Sequence, residues 1–176
     1  MKYFIKTKAF SKEKSTKVTD ENDQIVFIVK RKTVSPLKKT TVKDAEGQTL
    51  FSSRNAFWGL FGKKAFVRDS EKKRVCKIKT RGMSAFVTKI ADDEYTVRVA
   101  KARKKELTKN GQLLCYTERA KNGTLALSFP SQYEEAAQGA AQGEIPSEQV
   151  ALYLAILLAA NNLRKAEKEK NRNSDF

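Results

Sequence analysis

The chain contains no histidine, which removes three kinds of chemistry at once: the imidazole general base, the Ser-His-Asp and Cys-His nucleophilic arrangements, and the commonest nitrogen ligand for zinc. Cysteine is scarce. Cys76 and Cys115 lie far apart and form no CxxC pair, so neither a zinc-ribbon spacing nor a disulfide framework is available. Both fall in β-rich runs beside apolar neighbours (Val75-Cys76-Lys77-Ile78 and Leu114-Cys115-Tyr116), the setting of reduced thiols packed as small hydrophobes. Long apolar runs are also missing. The longest, Val150 to Ala160, has 11 residues, where a spanning helix needs about 20. Lys2, Lys6 and Lys8 interrupt the first residues, MKYFIKTKAF, and exclude a secretory signal there. These absences lead to the expectation of a cytoplasmic protein with at most peripheral membrane contact. No enzyme activity, metal or cofactor is expected.

Acidic residues are outnumbered, 20 against 36 Lys and Arg, for a net charge of +16. The stretch Arg164 to Phe176 supplies five basic and three acidic residues, so the excess belongs to the body of the protein rather than to a basic tail. Such a field attracts polyanions: anionic lipid, nucleic acid or an acidic protein. With 176 residues, 40% of them hydrophobic, the chain reads as one domain able to bury about 70% of its unfolded surface.

A strand-turn-strand signature recurs at Val18 (VTDENDQIVFIV), Val42 (VKDAEGQTLFSS) and Val67 (VRDSEKKRVCKI), with looser copies at Ile90 and Leu107; the first three steps are 23 to 25 residues. Each copy sets an apolar residue two positions before an Asp- or Asn-type turn and then resumes a β-rich run. Strands are expected around Tyr3 to Ile5, Gln24 to Lys32, Thr41 to Asp44, Thr49 to Arg54, Ala65 to Arg68, Arg74 to Thr80, Ala85 to Ile90, Tyr95 to Ala102, Gln112 to Thr117 and Thr124 to Phe129. The second of these is apolar on both faces at its centre, which predicts cover on both sides. Asn110-Gly111 and Asn122-Gly123 are hairpin signals, since a type I′ turn needs positive φ at both central residues. From Pro130 to Gly143 the chain is either a short helix (132–142) or a connector.

Ser147 then offers an N-cap to a helix from Glu148 to about Lys168. Val150, Leu152, Tyr153, Leu154, Ile156, Leu157 and Leu158 surround its first half, and a helix apolar all round must be buried all round. Many hairpins followed by such a helix predict a mainly β fold: an antiparallel sheet closed into a barrel around the C-terminal α-helix, which also removes exposed strand edges. The expected organisation is a single domain over 1–168, including the helix, and a disordered polar tail over 169–176.

With its VTDENDQIVFIV, VKDAEGQTLFSS and VRDSEKKRVCKI hairpins and its terminal VALYLAILLAANNL, the chain resembles the LURP-one-related and Tubby C-terminal-like superfamily, with which phospholipid scramblases share a fold. The resemblance spans roughly residues 3 to 165 and rests on patterns. It implies a barrel of about twelve strands threaded by a hydrophobic helix. Tubby-type domains bind phosphoinositides; their ligand residues match no particular positions here, so the resemblance assigns no site.

Candidate sites therefore come from charge. Alternation places Lys73, Lys77, Lys79 and Arg81 on one face of a strand, with Cys76 and Ile78 on the other. Lys101, Arg103, Lys104 and Lys105 form a second cluster, and Lys30, Arg31, Lys32, Lys38 and Lys39 a third. Each is either an anion- or lipid-binding patch or a solvated face that keeps the protein soluble. The segment from Arg54 to Lys64 carries Phe57, Trp58 and Phe61 with Lys63 and Lys64. Its aromatics either cap the barrel from within or form a membrane-interface loop. Asp92-Asp93-Glu94 reads as a solvated turn. The reading is a non-enzymatic barrel that binds anionic phospholipid or a membrane surface. The alternatives are a nucleic-acid binder, disfavoured because no recognition motif is present, and a scaffold or regulator for an acidic protein partner.

Overall fold

Three turns show how the repeat becomes structure. The computed structural model describes residues 1–5, 15–32, 39–56, 64–82, 84–100, 104–120, 124–130 and 145–173, with helix side chains described through Lys165. In the turns after Val18, Val42 and Val67, the Asp two positions on accepts a hydrogen bond at Oδ1 from the amide four residues later. These bonds join Gln24 to Asp20 (2.9 Å), Gln48 to Asp44 (2.7 Å) and Lys73 to Asp69 (2.9 Å). The fourth turn residue is left-handed each time: Asp23 (φ 60°), Gly47 (89°) and Lys72 (65°). A register shift precedes each turn, at Val18/Thr19, Val42/Lys43 and Val67/Arg68. The Asp side chain thus stabilises the left-handed turn by taking an amide the ladder leaves free. At Asn110-Gly111 both φ values are positive (50° and 87°), as the dipeptide predicts.

These hairpins build twelve strands: β1 (Lys2–Ile5), β2 (Ser15–Thr19), β3 (Ile25–Arg31), β4 (Thr40–Lys43), β5 (Thr49–Asn55), β6 (Lys64–Arg68), β7 (Arg74–Arg81), β8 (Ala85–Ile90), β9 (Asp93–Val99), β10 (Lys105–Lys109), β11 (Gln112–Arg119) and β12 (Leu125–Ser128). Every neighbour in sequence is a neighbour in the sheet, and β1 closes the barrel against β12, with Tyr3 opposite Leu127. The expected closed antiparallel barrel around a C-terminal helix is therefore the fold. β2 (STKVT) and β10 (KELTK) were not among the expected strands, because five residues with polar or cationic alternate positions show little apolar periodicity.

Inside runs α1 (Ser147–Asn173). Val150, Ala151 and every residue from Tyr153 to Ala160 are buried; Tyr153 packs near Tyr95 and Phe129, and Phe129 near Tyr3. Burial of each Val, Leu or Ile side chain among them contributes about 1.5–3 kcal/mol, which makes this helix the core of the barrel rather than an appendage. Further along, Asn162 Nδ2 donates to Thr40 Oγ1 at 3.0 Å, a buried polar bond fixing the helix against the start of β4. No helix among the described residues is long and apolar enough to cross a membrane.

The structure departs from expectation in three places. The first intrahelical bond runs from Val150 N to Pro146 O (3.1 Å), so Pro146 occupies the cap position and Ser147 is already helical. The helix continues to Asn173, past its expected end near Lys168. On β3, Phe27 and Val29 point into the core, but Val26 and Ile28 are half-buried and Ile25 is 38% exposed. The outer face of β3 is covered only in part, because the helix fills only the inside. The 130–143 question, apart from Pro130, and the Asn122-Gly123 turn lie outside the described residues.

Candidate functional site

Up-and-down order puts alternate connections at the same end of the barrel. The short turns gather at one end, with Asp20, Asp23, Asp44, Glu46, Asp69, Glu71 and Asp92. At the opposite end, where α1 runs out past Thr40, stand Lys32, Lys39, Lys64, Arg81, Lys104 and Lys105. The barrel is electrically polarised along its axis.

It is polarised around its circumference as well. No acidic residue occurs in β3, β4, β5, β6 or β7. Alternation turns Lys30, Arg54, Lys64, Lys77 and Lys79 outward, and pairing brings them together: Lys64 lies opposite Lys79, and Phe66 lies between Arg54 and Lys77. Lys77 is held below the ordinary lysine value, first by the charge of Lys64, then by slight desolvation, then by Lys79 and Arg74. That repulsion shows the cations acting on one another as a cluster. The Arg74 guanidinium lies 5.8 Å from the centre of the Phe66 ring, within cation–π range.

A cleft of about 460 Å³ opens on the same wall, lined by Lys32, Lys39, Ser52, Ser53, Arg54, Arg68 and Lys72. Its upper row is set by register. Lys32 N donates to Lys39 O at 3.0 Å, and continuing the Thr40–Ser53 pairing by one residue sets Lys39 opposite Arg54. Below, Ser52 pairs with Arg68, whose Nη1 donates to the carbonyl of left-handed Lys72 at 2.8 Å. Arg68 Nε is shielded from solvent and has no hydrogen-bond partner, a state that costs about 1–3 kcal/mol for a buried donor. Among the described residues, none of the five cations pairs with a carboxylate.

The sequence-derived candidates separate on this frame. Lys77 and Lys79 stand on the acid-free wall as alternation predicts. Lys73 lies in the turn beside Glu71, and Arg81 faces Glu94 at 3.6 Å, so both have carboxylate neighbours. Of the second cluster, Lys104 pairs with Glu106 (3.4 Å) and covers the Tyr116 ring (4.2 Å) on the far side of the barrel. Lys105 shares the inward parity of Leu107; burial, then Arg164, Arg31 and Lys165, lowers its pKa to about 8. Arg31 likewise takes an inward position, and burial lowers its pKa to about 10. The third cluster is therefore split, with Lys30, Lys32 and Lys39 outside and Arg31 at the mouth. Lys38, Lys101, Arg103, Phe57, Trp58, Phe61 and Lys63 lie outside the described residues. Arg68 and Lys72 were missed, and Arg54 was noted only as a flank of the aromatic segment; they lie on separate strands and a turn, and only cross-strand pairing assembles them.

Asp93 accepts from Asn110 Nδ2 (2.7 Å) and pairs with Lys109 (2.8 Å), which holds its carboxyl below the usual range. It therefore braces one turn against the next, a structural role. The two thiols are buried inside, Cys76 on β7 and Cys115 on β11, and burial raises the pKa of both.

No curated protein and no solved structure matches the chain. The LURP-one-related family model matches residues 1–125, from β1 through to the start of β12, and that family lies within the Tubby-like C-terminal superfamily. With most of the barrel matched and the closed fold in place, the chain belongs to the LURP-one-related family.

Proposed function

We propose that this barrel is a non-catalytic module that docks on anionic phospholipid surfaces through the β3–β7 wall. The observation that carries the reading is that five consecutive strands present Lys30, Arg54, Lys64, Lys77 and Lys79 outward without one acidic side chain among them. A solvated face kept for solubility alone carries both signs interspersed, because self-repulsion otherwise works against the fold. Each cation near a phosphatidylserine-rich surface contributes about 1 kcal/mol, so a handful give reversible docking. Family membership supports a barrel domain without enzymatic chemistry.

Nucleic acid is the second polyanion this wall could attract. Phe66 is the one aromatic in the outward positions of β5 to β7 and is already covered by Arg74, which leaves no stacking platform for bases among the described residues of these strands. The test is co-sedimentation with phosphatidylcholine vesicles with and without phosphatidylserine at about 0.15 M salt, with duplex and single-stranded DNA measured in parallel. Serine-lipid-dependent binding, weakened about fivefold each by Lys77→Ala and Lys79→Ala, is expected. Tighter binding to DNA, with a log–log salt slope near −0.9 per neutralised phosphate, overturns the reading. Trp58 is the only tryptophan. A blue shift of its emission on anionic vesicles alone extends the contact to the segment around it.

A further inference from the structure

We infer that the cleft between Lys32, Lys39, Arg54, Arg68 and Lys72 is a discrete binding site for a phosphomonoester-bearing anion, distinct from the diffuse attraction of the surrounding wall. The inference deepens the docking reading and rests on it for the source of the ligand, though not for the chemistry.

Three observations converge. The volume of about 460 Å³ falls in the range of small-molecule sites and is far too small for a folded partner. Five cations and two serines line it, and among the described residues no carboxylate neutralises any of the five. Concentrating that charge in so small a space calls for an equally dense counter-charge. A phosphomonoester carries nearly two negative charges at neutral pH, with three acceptor oxygens, whereas a peptide needs a whole residue for each carboxylate. The cleft also contains an unused donor, Arg68 Nε, shielded from solvent and without an acceptor, while Nη1 of the same guanidinium is held by the Lys72 carbonyl. The guanidinium is thus already oriented, with a position open for an oxygen.

The repeat shows what is particular to this turn. In the β4–β5 turn, Lys43 Nζ holds the carbonyl of Gly47, as Arg68 holds that of Lys72. The left-handed residue is glycine there and lysine here, and a lysine in that conformation is backbone that glycine would adopt without strain. Lys72 places a cation at the lower edge of the cleft where the sister turn has no side chain. Ser52, on the outward face of β5, adds a hydroxyl suited to phosphate oxygens, while Ser53 is buried on the inward face opposite Thr40.

The experiment uses the full chain and two probes: sodium tripolyphosphate by titration calorimetry, and phosphatidylcholine vesicles carrying either phosphatidic acid, a phosphomonoester lipid, or phosphatidylserine. Saturable one-to-one binding of tripolyphosphate is expected, weakened at least tenfold in the Lys39→Ala/Arg54→Ala double variant and unchanged in Lys17→Ala on β2. Binding to phosphatidic acid vesicles should also weaken as pH drops below the phosphomonoester's second ionisation, near 6, because the cleft cations keep their charge there. Preference for phosphatidic acid over phosphatidylserine vesicles, lost in the double variant, assigns a lipid source; tripolyphosphate binding without that preference assigns a soluble one. Equal tripolyphosphate affinity in wild type and double variant, or stronger competition by single-stranded DNA than by tripolyphosphate, overturns the site. Intact phosphatidylserine docking alongside absent tripolyphosphate binding overturns the cleft alone. Circular dichroism of the double variant confirms the fold, and Lys72→Gly, which relieves the backbone, should lose affinity while keeping or raising thermal stability.

Discussion

The walls β3–β7 and β9–β11 are two arcs of one barrel, built by the same alternation around the same helix, and they differ in what surrounds their surface cations. On β9–β11, Lys109 pairs with Asp93, Lys104 with Glu106, and Arg98 stands opposite Glu106 in the ladder. On β3–β7 there is no acidic residue to pair with, and Lys77 registers the repulsion of Lys64, Lys79 and Arg74. Either arrangement satisfies the fold, since outward positions leave the core untouched. The acid-free wall is therefore the arc whose composition needs a reason beyond folding, and docking on an anion supplies one.

The sharpest break of the comparison comes from the part the two walls share. Leu154 is buried on the helix that the barrel encloses, and Leu154→Asp places an unpaired carboxylate there at a cost of several kcal/mol. Soluble folded protein should be lost, as read by soluble yield and far-UV circular dichroism. A folded variant would mean that the helix can leave the barrel.

Each wall also carries one buried thiol, Cys76 on the acid-free side and Cys115 on the paired side. Labelling by a polar thiol reagent should be about a hundredfold slower in native than in denatured protein, because reaction requires opening and burial disfavours the thiolate. Cys115, with no exposed surface, should be the slower of the two. Rapid labelling of Cys76 alone would show that the acid-free wall opens on its own.

Lys105, on β10 of the paired wall, takes an inward position within reach of the charge of Arg31 on the other wall. Its pKa of about 8 in the fold lies below that of an unfolded lysine, near 10.4. The unfolded chain thus binds more protons between those values, and stability should rise with pH from about 8 to about 10.4. Lys105→Met should accordingly stabilise the protein at pH 7, by on the order of 2 kcal/mol after allowance for residual solvent contact. The gain should shrink toward zero above pH 10. Thermal melts of both proteins across that range provide the check, and a constant difference would sink this account of the mouth.

The smallest effects separate the walls directly. Lys109→Ala removes an ion pair and should destabilise by about 0.2–1 kcal/mol without altering vesicle binding. Lys79→Ala removes a repelling neighbour and should leave stability unchanged or slightly higher while weakening docking. The same response from both variants in both assays would erase the distinction between the walls.

Much of this was legible in the chain. The period-two runs from Arg74 to Thr80 and Ala85 to Ile90 placed strands to within a residue, and the apolar circumference of Val150 to Leu158 required a buried helix and hence a closed sheet. Asp20, Asp44 and Asp69 marked the turns in which their carboxylates now take part. Such features are local, set by side-chain direction and turn chemistry within a few residues. The sequence by itself determined which residues face inward and which outward, and where the chain reverses. Only the tertiary structure decided which outward residues are neighbours. Lys39 meets Arg54, Arg54 stands near Lys77, and Lys64 lies opposite Lys79 through registers that closure of the barrel sets, while Arg31 turns into the mouth away from Lys30 and Lys32. Charge acts through space and not along the chain, so the cleft came into being when the strands paired.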